Sequence, residues 1–365
     1  MYKYISIISM SIFLFACGGG GSVINNQSES LPQEVRKKID GEPDNLNQYC
    51  KLQGKDNSAV VFADEVVIAN CGESSSANGL VLDNLDYYHN IETLHLGNGN
   101  TYLGNIDFLT KLKKLRHLSI AGSFEASSEM WGQLNIVSLN LNESGNSATD
   151  FGFIENLASL KSFVYKNMEP SIDNQLRCGK ALTDLTLVLA NENIMSLDSS
   201  CNNIIKLSMK YSSINDISFL VNLKKLKALD LSFNNIVDLT PISSLTALEV
   251  LDLDSNQIAD LTALSSLINL EVIDLDSNSI EDLSPLSFLL NLETLELDSN
   301  HIVDISHVFA LTKLVNLDLS LNMINDISGL YNLSKLKVVD ISGNNIQPSE
   351  ITRLKENLAT TEVIF

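Results

Sequence analysis

The chain repeats itself every 22 residues, and this period limits the folds open to it more than any other feature. The pattern L-x-x-L-x-L-x-x-N recurs at this spacing, and the same frame runs backward to Leu160 before the spacing loosens toward Ile91. The regular starting residues are Leu226, Leu248, Leu270, Leu292, Leu314 and Leu336, and the asparagines are Asn234, Asn256, Asn278, Asn300, Asn322 and Asn344. A fixed period of this length predicts a stack of similar units.

Each repeat has the pattern of a short strand followed by a return segment. The x-L-x-L-x core alternates with a period of two, so the leucines lie on one side of a strand and the x residues on the other. Asparagine ends the strand, where its amide can satisfy backbone groups in a buried bend. An aspartate four residues later precedes the return segment, and we interpret it as a turn or cap residue. Because no repeat can bury its own apolar face, the repeats must stack into a parallel solenoid.

This pattern resembles the leucine-rich repeat. The stretch NNIVDLTPISSLTALEVLDLDSNQIADL (234–261) is similar to repeats of internalin-type bacterial surface proteins. The resemblance is clear from Ile204 to Ile346 and weaker back to Ile91. It implies an α/β solenoid with a curved parallel sheet of short strands, irregular or 3-10 return segments, and a cap at each end. It also implies a protein that acts through contacts with other proteins.

Both ends of the repeat array have features of caps. DEVVIANC (64–71), preceded by Cys50, resembles the N-terminal cap of such proteins. After Ile346 the period fails, and the sequence predicts a helix from Pro348 through Leu358 with Ser349 as its cap. TEVIF (361–365) then reads as a last strand that shields the final leucines from water.

The N-terminus has the pattern of a targeting segment. An apolar run from Ile5 to Phe15 is too short for a membrane-spanning helix and ends in LFAC (14–17), which resembles the lipobox of bacterial lipoproteins. Cys17 would be the lipidated residue, although an ordinary signal peptide is the alternative, and GGGGS follows as a flexible tether. We expect a lipid-anchored protein of the bacterial cell envelope, at the outer membrane or cell surface. The predicted division is a signal peptide at 1–16, a tether at 17–48, an N-terminal cap at 49–90, repeats at 91–346 and a C-terminal cap at 347–365.

Four cysteines remain once Cys17 is assigned to lipidation. An even number in an exported protein suggests two disulfides, for which three pairings are possible. Proximity in sequence favours Cys50 with Cys71 and Cys178 with Cys201. The second pair also falls at nearly equivalent positions of adjacent repeats, about 5 Å apart at solenoid spacing.

Carboxylates recur at two positions of the repeat, and stacked repeats turn equivalent positions into columns. Between the two strand leucines lie Asp230, Asp252, Asp274, Glu296, Asp318 and Asp340, and two residues further on lie Asp254, Asp276 and Asp298. Both positions alternate with the leucines, so we expect both to face outward on the concave side of the sheet. The first column is common in the repeats that the chain resembles, whereas the second is not required by them. Like charges at this spacing cost about 1 kcal/mol each in water and more in a poorly solvated groove.

The acidic columns predict a binding surface for a positively charged partner. The net charge is −21, and no Lys or Arg occurs between Glu249 and Asp304. In the earlier repeats, these two positions and the outward position before the first strand leucine are neutral to basic, with Asp184 as the exception, so we predict a polarised groove that docks a ligand in one register. The basic positions are His95, His117, Lys166, Lys206 and Lys210.

The sequence excludes several function classes and leaves one main prediction. A strongly acidic chain is unsuited to nucleic acid, and no catalytic or cofactor-binding motif is present. We expect a monomeric, non-catalytic module that binds a protein or peptide with a basic segment and needs no cofactor. The alternative is a calcium-dependent adhesin or structural envelope protein, since stacked carboxylates are ligands for Ca²⁺. Trp131 and Phe124 either fill an irregular repeat's core, which we favour, or form a binding hot spot.

Overall fold

In a computed structural model, the described residues form two compact units. They comprise 50–53, 68–71, 89–97, 102–143, 152–167, 176–189 and 197–365. The N-terminal unit ends at Cys201, and the C-terminal unit runs from Asn202 to Phe365. The predicted signal peptide, Cys17 and tether lie outside the described residues.

The N-terminal unit is built on a largely parallel sheet. Strand β1 pairs antiparallel with β2, and β2, β3, β5, β7, β8 and β9 follow in parallel order. A separate parallel pair joins β4 to β6, and helix α1 covers Ser128–Gln133. The strand bounds are Cys50–Gln53 (β1), Ile68–Cys71 (β2), Thr93–Leu96 (β3), Tyr102–Asn105 (β4), His117–Ala121 (β5), Ser123–Glu125 (β6), Ser138–Glu143 (β7), Ser162–Asn167 (β8) and Asp184–Leu189 (β9).

The C-terminal unit is a regular stack in which each strand pairs in parallel with the next. Partner residues are 22 positions apart across its strand pairs up to β16, so the sequence period becomes the register of the sheet. The strands are Lys206–Ser208 (β10), Ala228–Asp230 (β11), Val250–Asp252 (β12), Val272–Asp274 (β13), Thr294–Glu296 (β14), Asn316–Asp318 (β15), Val338–Asp340 (β16) and Glu362–Ile364 (β17).

The return segments of the C-terminal unit are short 3-10 helices, as predicted. Each is preceded by the aspartate of the repeat, whose Oδ1 accepts a hydrogen bond of 2.8 Å from the backbone N–H two residues later. These residues are Asp216, Asp238, Asp260, Asp282, Asp304 and Asp326, and of the two predicted roles, turn or cap, the turn is confirmed. The N-cap of each helix is the apolar residue that follows the aspartate. The helices span Ser218–Asn222, Thr240–Ile242, Thr262–Ser266, Ser284–Leu286, Ser306–Ala310 and Ser328–Asn332.

The core lies between the sheet and the return segments. In one repeat the apolar side chains at seven positions are fully or almost fully buried, and the same positions are filled in its neighbours. These residues are Leu248, Leu251, Leu253, Ile258, Leu261, Leu264 and Leu267. Burial of each leucine contributes about 1.5–3 kcal/mol, and the stacking of repeats provides it.

The repeat asparagines form a ladder of backbone hydrogen bonds. Asn278 Oδ1 accepts from Ile258 N in the preceding repeat at 3.0 Å, and its Nδ2 donates to the carbonyls of Leu253, Leu275 and Asp276. The other five asparagines make the same set of contacts. The predicted role of the asparagine as a clamp on buried backbone is therefore confirmed.

The C-terminal end closes with helix α2 at Pro348–Asn357 and strand β17. The helix and the strand are confirmed, but Ser349 is not the cap. The helix already begins at Pro348, one residue before Ser349, so Gln347 holds the N-cap position. The Gln347 side chain makes no capping hydrogen bond. One repeat earlier, the ring of Phe309 occupies the space that a Cβ at residue 329 would need, so any side chain at Gly329 would require this ring to move.

One predicted disulfide is present and the other is supported. Cys178 and Cys201 are bonded, with Cα atoms 4.8 Å apart. Cys71 is also disulfide-bonded, and the antiparallel register of β1 and β2 places Cys50 directly opposite it.

Trp131 belongs to the core, as favoured. Its side chain is buried and its ring stacks on Phe153 with centroids 4.5 Å apart, while Phe124 meets it edge-on. This aromatic cluster fills the irregular repeat instead of standing free for a partner.

Among the described residues, neither helix has the length and apolar character required to cross a membrane.

Candidate ligand-binding face

Acidic side chains line the side of the C-terminal sheet opposite its leucine core. We call Asp230, Asp252, Asp274, Glu296, Asp318 and Asp340 the strand column, because each is the last residue of its strand. The sheet register pairs each of them with the next. The predicted stacking of carboxylate upon carboxylate is therefore confirmed.

The strand column is not exposed, which corrects the expectation of an open charged surface. Exposed fractions are 0 % for Asp230, 4 % for Asp252, 2 % for Asp274 and 9 % for Glu296, and the last two members are half-buried. The side chains alternate with the leucines as predicted, but neighbouring strands and the following turn cover them.

A local turn explains much of this burial. Oδ1 of Asp252 accepts a hydrogen bond from the backbone N–H of Asp254 at 3.2 Å, and Oδ1 of Asp274 accepts from Asp276 at 3.1 Å. Asp230, Asp318 and Asp340 make the equivalent contact in their repeats. An aspartate that bonds to backbone two residues ahead stabilises a turn, so this column has a structural role.

Glu296 is the exception in the column. Its repeat lacks the self-contained turn, and the N–H of Asp298 instead donates to Oδ1 of Asp276 in the preceding repeat at 2.6 Å. The substitution of glutamate for aspartate thus coincides with a direct link between two repeats.

Asp254, Asp276 and Asp298 follow the strands and form what we call the turn column. All three are half-buried. Ser255 donates its hydroxyl to Oδ1 of Asp254 at 2.8 Å, and Ser320 donates to Oδ1 of Asp298 at 2.9 Å. The preceding residue of the strand column already holds the turn at Asp254 and at Asp276, so the carboxylates of Asp254 and Asp298 are not needed to form a turn. The Asp276 carboxylate, by contrast, also accepts the backbone N–H of Asp298.

Burial and mutual repulsion hold protons on this face. Burial, with the charges of Asp230 and Asp274, raises the pKa of Asp252 to about 9. Burial, with Asp274, Glu296 and Asp318, raises the pKa of Asp276 to about 10. The pKa values of Asp254 and Asp318 are also raised, chiefly by burial. Protonation relieves the like-charge cost, and a bound cation can relieve it in the same way.

Basic side chains approach the acidic face only at its start. Lys210 Nζ lies 4.0 Å from Oδ2 of the buried Asp230, and Lys227 pairs with Glu249 at 2.6 Å near the surface. In the sequence, no Lys or Arg follows until Lys313. The part of the acidic face from Asp252 to Asp298 therefore lies along a stretch of sequence without Lys or Arg.

The predicted basic positions fall into both units. His95, His117 and Lys166 are exposed in the N-terminal unit, where partial desolvation and the nearby His117 lower the pKa of His95. Lys206 and Lys210 are half-buried in the C-terminal unit. A polarised groove running through both units stays a prediction.

Two aromatic residues beside the acidic face were missed from sequence. Tyr211 and Phe233 stack with ring centroids 4.3 Å apart, yet they are 53 % and 42 % exposed. They occupy the repeat position that is serine in the three following repeats. A comparison of equivalent positions between repeats would have revealed them.

Three carboxylates on this face approach one another closely. Asp274, Asp276 and Glu296 each offer an oxygen, and these oxygens lie within 4.8 Å of one another. Two oxygens at about 2.4 Å from one Ca²⁺ can be at most about 5 Å apart, so this spacing suits a shared divalent cation.

The fold and the repeat chemistry together define a leucine-rich-repeat solenoid. The family model of leucine-rich repeats in two copies matches residues 224–266 and 246–288. No curated protein is similar in sequence to this chain.

Solved structures of bacterial leucine-rich-repeat proteins share the fold. An internalin from Listeria monocytogenes is 25 % identical, with a TM-score of 0.62 over 84 % of this chain and 89 % of that one. A leucine-rich-repeat protein from Leptospira interrogans is 20 % identical, with a TM-score of 0.58 over 81 % and 83 %. The functional domain of InlJ from Listeria monocytogenes, which includes a cysteine ladder, is 16 % identical, with a TM-score of 0.59 over 83 % and 63 %. The matched proteins are leucine-rich-repeat proteins, and none indicates a catalytic family.

Proposed function

We propose that the chain is a non-catalytic recognition module whose acidic sheet face binds a basic segment of a protein or peptide. Leucine-rich-repeat proteins act as protein-binding modules, and the matched family model supports that general role here. The observation that carries the finer proposal is the turn column. Asp254, Asp276 and Asp298 stack in register, are half-buried, and are not required by the turns of Asp254 and Asp276.

A basic ligand gains more on this face than on an ordinary acidic surface. Partly desolvated carboxylates interact more strongly with a cation than fully hydrated ones, because the surrounding medium screens them less. Their register would fix the position of an extended peptide with several Lys or Arg residues. The lipid anchor predicted at Cys17 would hold the module at the bacterial cell envelope, and that part of the proposal rests on the sequence motif.

The triple substitution Asp254→Asn, Asp276→Asn and Asp298→Asn tests the proposal. Hexa-lysine titrated calorimetrically into the purified full chain should bind with an affinity that falls as salt rises. In the triple variant we expect binding about tenfold weaker, with a flatter salt dependence, because the charge contacts of Asp254 and Asp298, of up to about 1 kcal/mol each, are removed. Asp276, whose pKa is raised to about 10, holds a proton at pH 7, so its replacement removes a hydrogen-bonding group and not a charge.

A matched control removes three carboxyl groups from the same three repeats, and at least as much charge. Asp260, Asp282 and Asp304 are exposed turn residues on the other arm of the repeat, and their replacement by Asn should change affinity by less than about twofold. Equal losses in both triple variants would point to net charge alone. Unchanged binding in the first variant would remove the turn column as the site.

A second candidate function is calcium-dependent stability or adhesion. The specific observation is the approach of oxygens from Asp274, Asp276 and Glu296 to within 4.8 Å. Hard carboxylate oxygens are preferred ligands of Ca²⁺, and the ion would replace the protons held there.

Thermal unfolding in EDTA and in millimolar calcium tests this candidate. We expect calcium to raise the Tm of the wild-type protein by several degrees, since binding to the folded state alone stabilises it. Glu296→Gln should abolish the shift, whereas Asp254→Asn, outside the three-carboxylate group, should retain it. A Tm that does not respond to calcium would eliminate this function.

A further inference from the structure

One position of the repeat, directly after the position that the turn column occupies, has a left-handed backbone in seven successive repeats. The residues are Tyr211, Phe233, Ser255, Ser277, Ser299, Leu321 and Gly343, with φ between 50° and 71°. We call this series the left-handed column. Since serine adopts the conformation in three consecutive repeats, folding does not require an aromatic residue at the first two positions. Tyr211 and Phe233 therefore need an explanation other than the backbone.

The two aromatic side chains form a preorganised flat surface. Their rings are nearly parallel, at 15°, with centroids 4.3 Å apart. Roughly half of each side chain remains exposed, so the pair is not part of the leucine core. When a partner binds to this surface, Tyr211 and Phe233 lose little side-chain conformational entropy, because the two rings already hold each other in place.

The aromatic pair adjoins the first carboxylate of the turn column. Phe233 donates its backbone N–H to the carbonyl of Asp254 at 2.9 Å, which fixes the two residues side by side. The hydroxyl of Ser255, the next member of the left-handed column, donates to Oδ1 of Asp254 at 2.8 Å. The Asp254 carboxylate is thus turned toward the column that carries the rings.

The charges of the acidic face also reach the aromatic pair. Partial desolvation and the carboxylates of Asp254, Asp230 and Asp252 raise the pKa of the Tyr211 phenol. The protein places one of its own lysines nearby, since Lys210 Nζ lies 4.0 Å from Asp230. One repeat further on, at Asp254, the surrounding sequence from 228 to 312 supplies no Lys or Arg.

We propose that Tyr211, Phe233 and Asp254 form a seat for one arginine side chain of a basic partner. The guanidinium lies flat on the exposed aromatic surface and donates N–H groups to the Asp254 carboxylate. Arginine fits better than lysine because its planar, weakly hydrated cation stacks on rings and presents a fork of donors to a carboxylate. The seat deepens the function proposed above and rests on it, since it assigns a residue type and a register to the basic segment.

Hexa-arginine and hexa-lysine, titrated into the purified full chain, test the seat. We expect hexa-arginine to bind about three- to tenfold more tightly, as a cation–π contact of this kind provides. Phe233→Ser should reduce the ratio of the two affinities to about one, while the affinity for hexa-lysine stays within about twofold. This variant should fold, because Ser255, Ser277 and Ser299 hold the same backbone conformation at the same position.

Leu321→Ser is the matched control. Leu321 occupies the left-handed column at φ 50° and is 58 % exposed, but it is aliphatic and lies three repeats beyond Asp254's neighbour Ser255. This variant should keep the preference for arginine. Equal wild-type affinities for the two peptides, or a preference that survives Phe233→Ser, would overturn the seat and leave the acidic face as a binding site. Failure of both peptides to bind would overturn both proposals.

Discussion

Replacing Asp252 and Asp276 by asparagine is expected to stabilise the folded protein at pH 7 by several kcal/mol, with an upper limit of about 4 kcal/mol for each residue. The Asp252 side chain is buried and the Asp276 side chain is half-buried, and both lie against other carboxylates, which raises their pKa values to about 9 and about 10. Folding therefore requires each to take up a proton that it lacks in the unfolded chain at pH 7, and each pKa unit corresponds to about 1.4 kcal/mol. Asparagine keeps the Oδ1 acceptor for the N–H groups of Asp254 and Asp298 without this cost.

The sign of the pH dependence follows from the raised pKa values. Between the unfolded value of 3.8 and the folded values, the folded state binds more protons than the unfolded state. The free energy of unfolding should therefore fall as pH rises from 5 to 8, by up to about 1.4 kcal/mol per pH unit for each group. Urea unfolding across this range should show the slope in the wild-type protein and a clearly smaller slope in the double variant.

Asp260→Asn with Asp282→Asn provides the control for this experiment. The two residues lie in the same repeats and have the same side chain, but hydrogen bonds from Thr262 and Ser284 lower their pKa values, so they are ionised at pH 7. The stability that the ionised Asp260 and Asp282 carboxylates contribute is present above pH 3.8 and is lost only in more acidic solution. Their replacement by asparagine should therefore not stabilise the protein at pH 7. An equal gain in both double variants would show that relief of net charge, not local burial, is responsible.

Asn278→Ala is expected to destabilise the protein by about 3 kcal/mol or more. The side chain is buried and bonds to four backbone groups, two in its own repeat and two in the preceding one. Alanine leaves the buried Ile258 N–H without its acceptor, which costs about 1–3 kcal/mol, and it removes three further hydrogen bonds worth about 0.5–1.5 kcal/mol each. The carbonyl oxygen of Leu253 keeps the hydrogen bond from Asn256. Denaturant unfolding monitored by circular dichroism measures the loss.

Asn269→Ala is the corresponding control on the surface. The Asn269 amide also donates to a backbone carbonyl, that of Thr246 at 2.8 Å, but the bond is exposed to solvent. Water can replace it, so the cost should be below about 1 kcal/mol. Similar losses in both variants would contradict a special role for the buried ladder.

The regular half of the fold could be predicted because the same sequence pattern recurs in successive repeats, so each repeat supports the assignment made for the others. The leucine spacing gave the strands and their register, and the roles of Asn278 and Asp260 followed from the need to satisfy backbone in a bend. Ser349 was assigned wrongly because residue type alone does not decide which residue precedes the first helical turn. The strand leucines, Asn278 and Asp260 were predictable because the interactions that fix their roles are made within one repeat or with the adjacent repeat.

The burial of the acidic face could not be predicted in the same way. Alternation with leucine shows which side of the sheet Asp252 faces, but not how closely its own turn and the adjacent strands cover it. Tyr211 and Phe233 escaped notice because the period directs attention to the residues that repeat. The candidate arginine seat depends on two that do not.

Phe309 and Gly329 give the otherwise uniform array a fixed order. In the earlier repeats the position of Phe309 is held by Ser243, Ser265 and Ser287, and the position of Gly329 is held by Pro241, Ala263, Pro285 and His307. A deletion or duplication of 22 residues would preserve the period, yet it would break the match if it separated these two neighbours. We therefore expect the addition or removal of one 22-residue unit to disturb side-chain packing less at the serine-bearing repeats than at the junction before the C-terminal helix. The 22-residue pattern is therefore regular, but its repeats are not all interchangeable, because Phe309 and Gly329 must lie in adjacent repeats.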